Sequence, residues 1–266
     1  MLTSLCLHGI HKLTMRKAPA RPGHISRAEV RRMMGKLMSL EWKKNRGAKY
    51  IAKAAGITAI IFLLIVSMSR ELGSQETLEM YGKSMVDATV ELFANMCFML
   101  LTSVMLSTFI VGAYRDKMMD LMFSYPIKRK KILLSKMLVV WGFNFIALVL
   151  CKLFCFGGFG VVKLLTGGRF FGDFGMEIFT DAAFYANTLL NSAAMVGIAY
   201  VVLPIGLKLK SSKATLVAAF IVIMLTQGNI GSYTLFNNLL FYAALLICAA
   251  VCVFLCIFRV ETEDVG

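Results

Sequence analysis

ATLVAAFIVIMLTQGNIGSYTLFNNLLFYAALLICAAVCVFLCIF, residues 214–258, runs for 45 residues without a charged side chain. As one helix it would be about 67 Å long, twice the roughly 30 Å hydrocarbon core of a bilayer. A run of that length has to turn back on itself. Gln227, Gly228, Asn229, Gly231 and Ser232 gather near its middle, which is turn composition. The stretch therefore predicts two membrane-crossing helices joined by a tight connection.

Four more apolar stretches precede it. Residues 54–69 are uncharged, and with 50–53 they reach spanning length. Residues 93–113 are uncharged, 137–162 are interrupted by Lys152 alone, and 182–207 are uncharged with Pro204 as an expected bend. Each is long enough to cross the hydrocarbon core. The expected fold is an all-α integral membrane protein with six transmembrane helices over residues 54–258. Residues 259–266 form a short tail.

The composition agrees. The chain is 58% hydrophobic and 17% charged, against about 45–50% and about 25% in a soluble domain. A chain of 266 residues cannot enlarge its core enough to hold that excess, so lipid is the better sink. Its net charge of +14 would suggest nucleic acid in a soluble protein. Here the basic residues sit in short blocks between apolar runs, the layout of topogenic loops, and no nucleic acid is expected. With the N-terminus inside, the inner segments carry 24 Lys and Arg and the outer ones 4 (Arg70, Lys83, Lys163, Arg169). Both ends are thus expected in the cytoplasm of a multi-pass plasma-membrane protein.

Residues 1–35 are basic and contain Pro19, Pro22 and Gly23. They are expected to be a disordered extension, with Met33 and Met34 as alternative start sites. Residues 36–53 mix Leu37, Leu40 and Trp42 with six lysines and arginines. That pattern predicts a helix lying in the interface, with Trp42 and Tyr50 at headgroup depth and Lys43 and Lys44 on anionic lipid.

Residues 114–138, YRDKMMDLMFSYPIKRKKILLSKML, join the second and third spans. Met118, Leu121 and Met122 recur at helical spacing before Pro126 interrupts. One reading is a basic loop that only sets topology. The other is a short helix that docks in a groove of a soluble partner, whose movement then tilts the attached spans.

This stretch resembles the ABC-2 type transporter permeases. The residues that carry the likeness are Tyr114, Leu121, Ser124, Tyr125, Pro126, Ile127, Arg129, Ile132, Leu133 and Lys136, together with the earlier Leu40-Glu41-Trp42-Lys43-Lys44. The likeness covers about 30 residues in motif and residues 36–258 in plan. The Tyr-Pro-Ile variant looks like the permeases of small Gram-positive exporters. Two family positions differ, with Ala113 and Met118 replacing a Glu and a Thr.

The resemblance implies a permease subunit paired with a second one, identical or not. An ABC-type ATPase subunit would dock on a coupling helix containing Tyr114, Met118, Leu121, Met122, Ser124, Tyr125, Pro126, Ile127 and Arg129. ATP and Mg2+ would belong to that ATPase, and this chain would bind no cofactor and be no enzyme by itself. Gly82-Lys83-Ser84 matches only the end of a P-loop, since the required earlier glycine is Thr77.

Three polar residues inside spans bear on a substrate path. Lys152 lies about 22 Å along the third span, where snorkelling to the outer headgroups competes with a path role. Asn187 and Asn191 share a face of the fourth span, suited to helix–helix hydrogen bonding or to a path. Cys248, Cys252 and Cys256 also share a face, but no His or carboxylate joins them, so packing is expected and no metal site. The six cysteines within apolar runs read as small apolar residues rather than a disulfide framework.

Two rival classes remain. A secondary transporter commonly uses intramembrane carboxylates, and the spans as drawn contain none. A membrane anchor or sensor would need no docking loop. Intramembrane acid–base or metal chemistry lacks its usual groups, since all three histidines precede the first span.

Overall fold

The computed structural model describes residues 35, 38–43, 47–72, 85–115, 129–166, 182–209, 211–227, 229–230, 233–234 and 239–262. Apart from Gly35, these belong to one compact unit that starts at Met38. The elements are α1 (Ala48–Leu72), α2 (Met85–Leu106), a π-helical turn (Ser107–Val111), α3 (Gly112–Arg115) and α4 (Arg129–Leu165). They continue with α5 (Ala182–Ile198), a 3-10 turn (Ala199–Val202), α6 (Leu203–Leu209), α7 (Ser212–Gln227), β1 (Asn229–Ile230), β2 (Tyr233–Thr234) and α8 (Leu239–Thr262).

Among the described residues the architecture is helical apart from one hairpin of two two-residue strands. Among the described residues four helical segments are long and apolar enough to cross a membrane: Ala48–Met68, Thr89–Val111, Ile132–Leu165 and Phe184–Leu209. Several apolar helices of that length are the mark of a membrane-embedded protein. The 214–258 run does fold back where its turn residues lie. α7 ends at Gln227, and Asn229 and Ile230 pair antiparallel with Thr234 and Tyr233. Of the two helices made from it, α7 has 16 residues, short for a crossing, and α8 has 24.

Other boundaries differ from expectation. The helix through the first span already starts at Ala48, so residues 48–53 are its opening turns. α2 starts at Met85 and its apolar segment at Thr89. Glu91 therefore lies within a spanning helix, which corrects the expectation that the spans lack carboxylates. Pro204 does break the fourth span. It has no N–H for the Tyr200 carbonyl, and the Leu203 amide bonds that carbonyl instead, tightening the helix to 3-10 over Ala199–Val202.

α2 is the central helix. Of its spanning segment 72% is buried, against 17% for Ala48–Met68, and it packs on α1, α4, α5 and α7. A helix apolar on every side belongs inside a bundle. Ala94, Phe98, Met105 and Leu106 of α2 meet Leu133, Val140, Leu148 and Phe156 of α4 in the core. α1 approaches α4 at Gly158, where a Cβ would overlap the Phe62 ring. Phe62 cannot swing away freely, because it stacks on Phe159 at 5.3 Å and meets Phe154 at 5.7 Å. Gly158→Ala is therefore expected to destabilise the protein by about 1–3 kcal/mol, read as a lower melting temperature in detergent.

Candidate functional site

Two buried clusters hold the buried charged side chains among the described residues. The first lies where α2 ends and α4 begins. Lys136 is 1% exposed, yet it carries a full charge on a long side chain. Its Nζ lies 3.1 Å from Glu41 Oε2 and donates to the Phe109 carbonyl at 3.1 Å. Glu41, 4% exposed, comes from the helical segment 38–43. Phe109 sits in the π-helical turn, closed by the Gly112 amide bonding back to Ser107. Buried charges persist when paired and hydrogen-bonded, and here one ammonium serves both a carboxylate and a backbone oxygen.

Aromatic contacts brace this cluster. Trp42 is half-buried and lies 4.9 Å from Phe143 of α4. A Cβ at Gly47 would overlap the Trp42 indole, so the chain passes directly against it. Tyr50 is buried and meets Phe109 edge-on at 5.6 Å, and the Lys53 ammonium sits 5.0 Å from the Tyr50 ring. Trp42 and Tyr50 thus pack on protein. The aromatic–basic pattern of 36–53 is shared by interfacial helices and by segments seated on a bundle. Lys43 is exposed, and Lys44 lies outside the described residues.

The second cluster joins α2, α4 and α5. Lys152 is fully buried and donates to Asn191 Oδ1 at 3.1 Å. Asn95 Nδ2 donates to the same oxygen at 3.2 Å. Asn95 Oδ1 is buried with no hydrogen-bond partner among the described residues. Glu91 lies one turn before Asn95 on α2. Lys152 does not snorkel. Asn191 gives it an acceptor inside the bundle, so the side chain has no need to climb to the headgroups. Asn187 is exposed on α5 and does not join Asn191.

Of the proposed coupling residues, Met118, Leu121, Met122, Ser124, Tyr125, Pro126 and Ile127 lie outside the described residues. Tyr114 falls in α3 and Arg129 opens α4. No group of three or more His, Cys, Asp or Glu suited to a metal occurs among the described residues. Cys248 is exposed and Cys256 buried.

Glu41, Glu91 and Asn95 are the site residues that sequence reading missed. Two signals were present. Glu41 is the sole acid among the basic residues of 36–53, and Glu91 and Asn95 sit four apart on one helix face.

No family model matches the chain, and no solved structure matches it. An uncharacterized protein YcbO of Bacillus subtilis (strain 168) is 24% identical to it over 196 residues, which is 73% of this chain and 83% of that protein.

Proposed function

We propose that the chain is the membrane-embedded permease subunit of an ABC-2 type transporter, an exporter driven by a separate ATPase subunit. One observation carries this reading. The two sequence segments that hold the family resemblance, 40–44 and 114–136, are tied together by the Lys136–Glu41 ion pair. A docking stretch needs a rigid route to the spans, and this contact supplies one.

In this reading α7 and the 243–258 segment add two crossings to the four long ones, giving six, with both termini cytoplasmic. A second permease subunit completes the path. Lys152, Asn191 and Asn95 lie within the bundle, available to a path at that interface. Residues 114–129 face the ATPase.

Leu121→Asp or Tyr125→Asp is expected to lower transport at least about tenfold while the protein stays in the membrane, because a charge in an apolar docking contact is desolvated without a partner. Transport at parental rates in both variants would remove the docking role. Purification in mild detergent from the native host should bring down an ABC-type ATPase in stoichiometric amount.

Glu91 within the Thr89–Val111 segment favours a second reading, an ion-coupled secondary transporter, because carboxylates inside spans commonly carry coupling ions. Transport that survives ATP depletion but stops when ionophores collapse the gradients would select that reading.

A further inference from the structure

The π-helical turn of Ser107–Val111 lies a few residues before the proposed docking stretch. Such a turn holds one residue more than an α-helical turn, so backbone carbonyls within it lose their α-helical partners. The Phe109 carbonyl, inside the turn, accepts from Lys136 at 3.1 Å. The same ammonium holds Glu41. Lys136 stands about two turns into α4, just after residues 116–128, and Glu41 stands shortly before α1 begins at Ala48. One side chain therefore links the strand of chain entering α1, the π turn of α2 and the start of α4.

The neighbouring part of α2 is built to change. Thr102, Ser103 and Thr108 each turn a hydroxyl back onto a carbonyl four residues earlier, at 2.7, 2.9 and 2.9 Å. Back-bonding of this kind weakens and bends a helix. Nor does a buried ion pair add much stability over an apolar pair of similar size, because desolvation offsets the attraction. What it specifies is geometry.

We propose that Lys136 is a releasable pin for the π register of α2: its withdrawal from Phe109 and Glu41 lets Ser107–Val111 return to α-helical pairing. Removing one residue's worth of winding turns α3 and the chain that follows it by about 100° and shifts it about 1.5 Å. Nucleotide-driven movement of the docking stretch would thus be converted into a register change in the central helix, and Glu41 would report it to α1. Lys136 is a positioning residue here. The inference rests on the permease reading for its trigger, but the pin itself does not.

The test uses the full chain in nanodiscs with its co-purified ATPase. Of this chain's two tryptophans, Trp141 is replaced by Phe, leaving Trp42 beside Glu41 as its sole indole, and a Trp42→Phe control subtracts the indoles of the ATPase and the nanodisc scaffold. The double variant Glu41→Met/Lys136→Met removes the pin but keeps an apolar, fold-compatible pair. Transport per ATP hydrolysed is expected to fall about tenfold or more, within the range of a typical coupling energy, while the ATPase stays bound. Iodide quenching of Trp42 should rise on nucleotide binding in the parent and no longer respond in the double variant. Hydrogen exchange at residues 107–113 should also differ between the two.

A purely structural contact predicts a double variant that folds and transports like its parent, and that outcome overturns the proposal. So does unchanged exchange across 107–113, which can be measured with no ATPase present. If no ATPase co-purifies, the permease reading fails, and the exchange result alone decides the pin.

Discussion

Lys136→Met is expected to destabilise the protein by about 3–5 kcal/mol, and adding Glu41→Met should recover most of that loss. The single change takes from Glu41, 4% exposed, the ammonium that lies 3.1 Å from its Oε2. It also strips the Phe109 carbonyl of its donor. An uncompensated buried charge is far more costly than the pair it came from is stabilising. The double change replaces two desolvated charges with apolar groups of similar length, which is often neutral or better. Melting temperatures in detergent, followed by fluorescence-detected gel filtration, give the comparison. A single variant as stable as the double one would mean that the carboxylate finds another partner or never carried charge.

Asn191 carries the second large effect. Its Oδ1 is shared by Lys152 and Asn95, so Asn191→Leu removes the acceptor of a buried ammonium and of a buried amide together. The expected loss is about 2 kcal/mol or more, since hydrogen bonds to charged groups exceed neutral ones. Average interhelical polar contacts in membranes are worth only about 0.6 kcal/mol, so a loss near that value would show that Lys152 has found a different acceptor. Asn191→Asp keeps the acceptor and adds a counter-charge. It should cost less than half as much as the leucine change. If Asp and Leu are equally damaging, the shared oxygen is not what holds the three helices together.

Much of the fold is readable from charge spacing alone. Uncharged runs mark the long apolar helices, and the Gln227–Ser232 cluster marks the reversal that the α7–β1–β2–α8 order shows. Pro204 marks the 3-10 break because its missing amide acts locally. The polar clusters are less legible, for a physical reason. Glu41 and Lys136 are 95 positions apart, and Lys152 and Asn191 are 39 apart. Their pairing depends on which helix faces touch, and a period of 3.6 residues does not encode a neighbour's rotation. Depth alone suggested that Lys152 would climb outward. An acceptor on another helix decided otherwise. Glu91 was missed because a charge near a boundary reads as the end of a span, whereas α2 and its apolar segment both begin before it.

α4 has 37 residues, so it is about 55 Å long where the hydrocarbon core is about 30 Å thick. Fitting that length inside the core would need a tilt of more than 50°, beyond the 0–40° that membrane helices adopt. At least one end must stand clear of the hydrocarbon core as a stiff arm. A swing of about 5° about one end moves the other by about 5 Å over that length. Such an arm has a mechanical advantage set by where the bilayer surface grips it. A thicker membrane shortens the free arm and a thinner one lengthens it, so the lipid composition of the host becomes a gain control on any movement that α4 transmits.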